Sequence, residues 1–243
     1  MNERTIYGIN TVLKALEQPD QLLRIYMQEG MHGKRMARLR DALSQHAVAV
    51  EQVSDEKLQS LTGMEKHQGV AAALIDQGPL DDHAALEFLS AIESPLILVL
   101  DSLEDPRNFG ACLRTADAAG VDLVVMGRSR SLEITPVVSK VACGAAESQT
   151  IARVSNLARF MKALHELNVW IVGTDESGPR TVFDTTLTGS IAIVMGAEGK
   201  GLRRLTREKC DVLVRLPMHG AVESLNVSVA AGVCLYECVR QRR

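Results

Sequence analysis

L-I-L-V-L-D-S-L-E-D-P-R-N-F-G-A-C-L-R-T-A-D-A-A-G-V-D-L-V-V-M, residues 96–126, reads as a strand, a polar turn, a helix and a second strand. The runs at 96–100 and, after Asp122, 123–126 are too short for helices and are unbroken by polar residues, as expected of strands buried on both faces. The segment between them, from Asn108 to Ala119, carries small and apolar residues at helical spacing. The same rhythm returns at N-V-W-I-V-G (168–173) and S-I-A-I-V-M (190–195). Short apolar strands alternating with helices predict an α/β fold whose sheet is mostly parallel and covered on both sides.

Upstream, residues 1–78 form a smaller αβ pattern. Ile9, Val12, Leu13 and Leu16 repeat with helical spacing, while L-L-R-I-Y-M (22–27) and G-V-A-A-A-L-I (69–75) read as strands. Residues 79–95 contain Asp81, Asp82, Glu87 and Glu93 but no Lys or Arg, between a Gly-Pro and a Ser-Pro break. They are expected to be a linker holding at most one helical turn. The predicted division is therefore 1–78, linker 79–95 and 96–243.

The net charge of −3 argues against a protein that coats nucleic acid with its whole surface. Divided by segment, it becomes −1, −4 and +2, so the acidic excess lies in the linker. Two basic clusters stand out: Lys34, Arg35, Arg38 and Arg40, and Lys200, Arg203, Arg204, Arg207 and Lys209. A charge run is often only a solvated helix face, so neither cluster alone identifies a partner. No uncharged stretch exceeds thirteen residues, as in 224–236, short of the ~20 that span a bilayer. The N-terminus has no apolar signal segment, and a cytoplasmic location is expected. Five cysteines without a C-x-x-C argue against structural zinc and a disulfide framework; their surroundings predict buried free thiols.

Three segments carry more chemistry than a scaffold needs. In 101–120, Asn108 suits a helix N-cap, and Arg114 sits among Ala111, Cys112, Leu113 and Ala116, where burial would be costly without an anion. In 191–202, Gly196, Gly199 and Gly201 are spaced G-x-x-G-x-G, matching neither the dinucleotide nor the Walker phosphate loop, and Glu198 adds a fixed charge. In 215–237, Ser224 suits an N-cap, Leu225, Val229, Val233 and Tyr236 form an apolar helix face, and Asn226 and Ser228 are polar where a helix starts. Taken singly, these are two helix caps and a glycine turn.

Taken in order, N-F-G-A-C-L-R-T, I-V-M-G-A-E-G-K-G-L and L-P-M-H-G-A-V-E-S-L-N-V-S-V-A resemble the three signature motifs of the SpoU branch of the SPOUT RNA methyltransferases. Residues 1–78, with Y-G-I-N-T-V (7–12) and H-Q-G-V-A-A (67–72), resemble the small RNA-binding domain of the bacterial 23S rRNA guanosine-2′-O-methyltransferases, similar in fold to certain large-subunit ribosomal proteins. The resemblance implies a deep trefoil knot, a homodimer, and methyl transfer from S-adenosylmethionine to a guanosine 2′-hydroxyl of 23S rRNA in the peptidyl-transferase region.

It also implies cofactor contacts from Gly196, Leu216, Met218 and Leu225. Arg114, Glu198, Asn108, Ser224 and Asn226 become the catalytic set. A guanidinium keeps its proton across the ordinary pH range and is a poor base, so Arg114 is read as a phosphate clamp that acidifies the hydroxyl, with Glu198 orienting it. His219 and Glu223 occupy positions where the family favours small residues; His219 is not assigned as the base. Both basic clusters would then contact RNA backbone, and the eight aromatics include no pair suited to base stacking. Two alternatives stay open: the same chemistry on tRNA or another rRNA nucleotide, and a non-catalytic RNA-binding assembly factor.

Overall fold

The structure, a computed structural model, describes residues 3–16, 19–31, 33–75, 78–129, 132–197, 199 and 201–243. The chain divides into two compact units, residues 1–78 and 79–243. In the first, the elements are β1 (Glu3–Tyr7), α1 (Ile9–Ala15), β2 (Leu22–Gln28), α2 (Lys34–Leu43), β3 (Val50–Val53), α3 (Asp55–Thr62) and β4 (Val70–Ile75). The sheet order is β1-β4-β2-β3, with β4 antiparallel to both neighbours and β2 parallel to β3.

The two short stretches singled out in this unit meet. Gly8 follows β1 at a φ of 93°, donates to the Val70 carbonyl and leads into α1. Gln68 holds a left-handed φ of 58° that turns its side chain to accept from the Ile9 amide at 3.1 Å. His67 is buried, accepts from the Gly69 amide at 3.2 Å and lies 3.5 Å from Asp55. The H-Q-G turn thus fastens α1 and α3 to the start of β4.

The second unit comprises α4 (Asp82–Ser90), β5 (Leu96–Leu100), α5 (Pro106–Ala119), β6 (Leu123–Gly127), α6 (Pro136–Ala142), α7 (Ala145–Ser148), β7 (Ile151–Val154), α8 (Leu157–Glu166), β8 (Trp170–Thr174), β9 (Arg180–Thr181), β10 (Ile191–Met195), α9 (Arg204–Arg207), β11 (Val212–Arg215) and α10 (Val227–Gln241). All seven strands are parallel, in the order β7-β6-β5-β10-β8-β11-β9. Alternate residues serve opposite faces. Leu96, Leu98 and Leu100 join a layer with α5 and α10, while Ile97 and Val99 join one with α4 and α8. Burial on both faces explains why the strands read as continuous apolar runs.

Residues 79–95 are not a linker. Asp81 caps α4 through the His83 and Ala84 amides, and Ala85 and Leu89 are buried in the sheet's second layer. Leu80 pairs with the β7 edge, and Asp82 accepts from the Ser155 amide and hydroxyl at 2.8 and 3.0 Å. Of the four acidic residues that suggested a linker, Asp81 is a helix cap and Asp82 a hydrogen-bond acceptor.

The cysteine expectation also needs revision. None of the five cysteines is in a disulfide, but only Cys112, Cys234 and Cys238 are buried; Cys210 is half-buried and Cys143 is exposed at the left-handed end of α6. Burial pushes the Cys234 and Cys238 thiols up to about 12. Among the described residues no helix is long and apolar enough to cross a membrane, and no group of three metal-ligating side chains occurs.

The end of α10 ties distant loops together. Gln241 accepts from the Leu187 amide at 2.8 Å and donates to the Thr185 carbonyl at 3.0 Å, while Arg242 donates to the Ser94 and Gly189 carbonyls. Glu237, 6% exposed, receives both Arg240 bonds, at 2.7 and 2.8 Å, and one from Gln241. The hydrogen bonds from Arg240, reinforced by Gln241 and opposed by burial, hold the Glu237 carboxyl at about 2.

A folded value below the ordinary one makes this stabilisation complete above about pH 4.5, with loss as pH falls towards 2. Glu237→Gln should therefore lower unfolding free energy by about 1–2 kcal/mol at pH 7, a figure reduced for the exposure of Arg240. Denaturant titrations at pH 7 and pH 3 should show the difference from the unsubstituted protein narrowing at the lower pH.

Candidate active site

The sheet topology gathers the three segments. After β5 the chain runs through α5 to β6 on one side; after β10 it runs through α9 to β11 on the other. Adjacent strands whose connections diverge leave a crevice at their carboxyl ends, the usual ligand position in open α/β sheets. Residues 101–120 leave β5 at this edge, 196–202 leave β10, and 216–226 leave β11.

At the crevice, the Asp101 amide donates to the Met195 carbonyl at 2.8 Å, and its carboxylate is buried. That carboxylate accepts from the Arg203 amide at 2.9 Å, the Arg203 Nε and the Ser102 hydroxyl. Removing one partner of a buried ion pair typically costs about 3–5 kcal/mol. The loop between the two strands closes on itself: Ala197 and Gly201 exchange backbone bonds at 3.2 and 2.9 Å. Gly196 packs so tightly that a Cβ would lie 2.3 Å from the Gly201 carbonyl carbon. The space of its missing side chain is thus taken up by the Gly201–Leu202 backbone of the same loop. Glu198 and Lys200 lie outside the described residues.

The helix caps differ from expectation. Asp105, accepting from the Arg107 amide at 2.7 Å, caps α5, and Pro106 occupies the first turn, where its missing N–H costs nothing. Asn108 is therefore inside the helix with its side-chain amide released for another partner. Asn226, not Ser224, caps α10: it accepts from the Ser228 amide at 3.0 Å and the Ser228 hydroxyl at 2.6 Å. Asn226 Nδ2 also donates to Asn108 Oδ1 at 2.9 Å, joining the first and third segments. Ser224 lies exposed in the preceding loop.

Arg114 follows Asn108 by six residues, about 9 Å along α5. It is exposed, so the burial argument made from its apolar neighbours does not hold: Cys112, Leu113 and Ala116 turn inward and Arg114 turns out. Its guanidinium makes no hydrogen bond or ion pair with a described residue. Arg107, two turns earlier on the same exposed row, is likewise unpaired among the described residues.

In the 216–226 loop, Leu216 and Met218 are half-buried, Leu216 against the first core layer, and Leu225 is 37% exposed. No backbone group of residues 216–225 bonds to another backbone group of the described residues. Partly exposed apolar side chains beside free amides and carbonyls fit a flat, polar-edged heterocycle such as adenine. His219 and Glu223 are exposed in the same loop.

The second basic cluster is largely neutralised within the protein. Arg203 pairs with Asp101, Arg204 with Glu208 at 2.6 Å and Arg207 with Asp175 at 3.4 Å. Asp101 and Asp175 follow β5 and β8 directly, so their charges reach these arginines only through the fold. Asp101 was missed as a site residue; its signal was an acid placed immediately after an unbroken apolar strand.

A parallel sheet with such a carboxyl-end site defines an α/β enzyme class, and comparison with known proteins specifies it. Residues 95–236 match the SpoU rRNA Methylase family, and residues 5–76 match the family described as RNA 2′-O ribose methyltransferase substrate binding. The chain belongs to the SpoU rRNA methylase family. It is 48% identical to the 23S rRNA (guanosine-2′-O-)-methyltransferase RlmB of Haemophilus ducreyi, over 98% of this chain and 97% of that one. It is 44% identical to the protein of the same name in Escherichia coli K12, over 98% of each. The solved SpoU methyltransferase AviRb of Streptomyces viridochromogenes, in complex with AdoMet, aligns with a TM-score of 0.76 and 25% identity, over 98% of this chain and 90% of that one.

Proposed function

We propose that this protein transfers a methyl group from S-adenosylmethionine to the ribose 2′-hydroxyl of a guanosine in 23S rRNA. The observation that carries the reading is the Asn226–Asn108 bond, which brings the start of α10 against α5 on the turn and a half preceding Arg114. Full-length likeness to the RlmB proteins supports the substrate.

S-adenosylmethionine supplies an electrophilic methyl group on a sulfonium. Leu216, Met218, Leu225 and the open backbone of their loop hold its adenine, while Gly196 keeps the neighbouring loop closed. Arg114, exposed and unpaired among the described residues, clamps the phosphate beside the target ribose and lowers the hydroxyl's pKa. Asn108, Asn226 and Ser224 complete the polar ring. The proton leaves to solvent or to the substrate's phosphate, because a guanidinium does not accept it. Alignment supplies several kcal/mol of the acceleration.

The finer parts of the reading are a trefoil knot in the second unit, a ribosomal-protein-like first unit, a cytoplasmic location and a homodimer. Support for the dimer comes from α10, which has two apolar faces. Ala231, Cys234 and Leu235 cover the sheet, while Val229 and Tyr236 are 51% and 52% exposed beside Val233. A twofold pairing of this second face would bury it.

The first unit supplies RNA affinity. Helix α2 buries Met36, Leu39 and Leu43 and turns Lys34, Arg35 and Arg38 outward, without an ion pair to a described residue. Arg40 instead donates to the Met31 carbonyl. Replacing Lys34, Arg35 and Arg38 with alanine should weaken RNA binding and reduce the slope of log affinity against log salt by about 2. Filter binding at several salt concentrations measures both.

The reading is tested by mapping 2′-O-methylated nucleotides in rRNA from a deletion strain, with and without the gene restored. Loss and recovery at one 23S guanosine is expected. Unchanged rRNA with an altered tRNA would overturn the substrate.

A further inference from the structure

We propose that Asp101 and Arg203 form a latch that positions the 196–202 loop for S-adenosylmethionine, making Arg203 a positioning residue for the cofactor rather than an RNA contact. The inference rests on the cofactor reading above and extends it to residues with no assigned part in the reaction.

Three observations support the latch. The Asp101 carboxylate has no exposed side-chain surface, whereas the Arg203 side chain is 45% exposed, so a fully buried charge anchors a partner at the surface. Arg203 meets it twice, through its amide at 2.9 Å and through its Nε. A main-chain bond of this kind fixes the position of the loop as well as the side chain. On the other side, the Asp101 amide donates to the Met195 carbonyl, so one residue holds the strand before the loop and the residue after it.

The loop held in this way has a rigid base. Ala197 and Gly201 are paired, Gly196 lies against the Gly201–Leu202 backbone, and Leu202 is buried in the second core layer. A rigid hairpin base anchored at both ends cannot tilt without breaking the ion pair. Its placement at the diverging strand ends, where the cofactor crevice lies, makes the anchor a determinant of cofactor geometry. The same pairing removes Arg203 from RNA recognition, because its charge is already engaged by Asp101.

The test compares the full-length protein with Arg203→Met, Arg203→Lys, Asp101→Asn and the double variant Asp101→Asn with Arg203→Met. Cofactor affinity is measured by calorimetry, KM and kcat by methyl transfer to 23S rRNA, RNA affinity by filter binding at several salt concentrations, and folding by thermal denaturation. Arg203→Met should raise the dissociation constant and KM for S-adenosylmethionine about tenfold, a coupling of ordinary size between neighbouring elements. RNA affinity and its salt slope should be unchanged, and Arg203→Lys should recover part of the loss.

The double variant separates positioning from stability. Removing both partners leaves no unpaired buried charge, so its melting temperature should recover relative to Arg203→Met, which strands the buried Asp101 carboxylate, while its cofactor affinity stays low. Recovery of cofactor affinity along with stability would overturn the latch. So would unchanged cofactor affinity in Arg203→Met, or a weakened RNA affinity with a smaller salt slope. If the unsubstituted protein itself bound no S-adenosylmethionine, the functional reading would fail first; cofactor binding that no variant perturbs defeats the latch alone.

Discussion

Replacing Arg114 with alanine should lower the methyl-transfer rate about a thousandfold, roughly 4 kcal/mol of barrier, while leaving folding and cofactor affinity intact. The separation follows from the geometry. The guanidinium is exposed and bonded to no described residue, so the folded state has little to lose; surface substitutions of this kind usually change stability by less than about 0.5 kcal/mol. On the proposed mechanism the reacting complex would lose its phosphate-clamping cation, and removing one preorganised electrostatic donor commonly costs about 10²–10³ in rate. Single-turnover kinetics with saturating S-adenosylmethionine, alongside a thermal melt, would measure both quantities. Arg114→Lys should retain only part of the rate, since an ammonium keeps the charge but not the planar fork. A full rate in Arg114→Ala would remove Arg114 from the mechanism. If His219→Ala instead abolished activity as completely, the exposed imidazole would take over as the base.

The second large effect is expected at Gly196. A methyl group there would lie 2.3 Å from the Gly201 carbonyl carbon, 2.5 Å from its oxygen and 2.5 Å from the Leu202 amide nitrogen. All three are backbone atoms, which cannot rotate away, so Gly196→Ala must open the paired base of the loop. A displacement of this size next to a reacting centre can cost about a hundredfold in rate. Cofactor affinity should fall by a similar factor, whereas Gly199→Ala, with nothing within 4 Å of its added carbon, should be limited to the strain of its φ of 72°. Calorimetry with S-adenosylmethionine on both variants distinguishes close packing from backbone strain.

These cases show what could be read from residues alone. Strands at 96–100, 123–127, 170–174 and 191–195 were legible because burial on both faces leaves an unbroken apolar signature. Helix α4 was not: its cap and its acceptor for Ser155 are acidic, and that acidity between two proline breaks masked the i, i+4 spacing of Ala85 and Leu89. The three motif segments were legible as chemistry, yet their caps were misplaced, because Asp105, Asn108, Ser224 and Asn226 all have side chains able to cap. Selection among them depended on Pro106 fixing the first turn and on the long-range bond between Asn226 and Asn108, which spans 118 positions. Arg203 failed for the same reason. Its partner is 102 positions away, and a charge cluster in sequence carries no record of which carboxylates the fold will bring to it.

The bonds made by Gln241 and Arg242 bear on how the protein is synthesised. They join Ser94, Thr185, Leu187 and Gly189, all of which leave the ribosome well before residue 241 is added. The first unit can fold during translation, since residues 1–78 complete their sheet early and domains commonly fold in N-to-C order. In the second unit the distant loops stay unfastened until residues 241 and 242 are free to reach them. Nascent chains arrested before that point should thus contain a folded first unit attached to an incomplete, protease-sensitive second one.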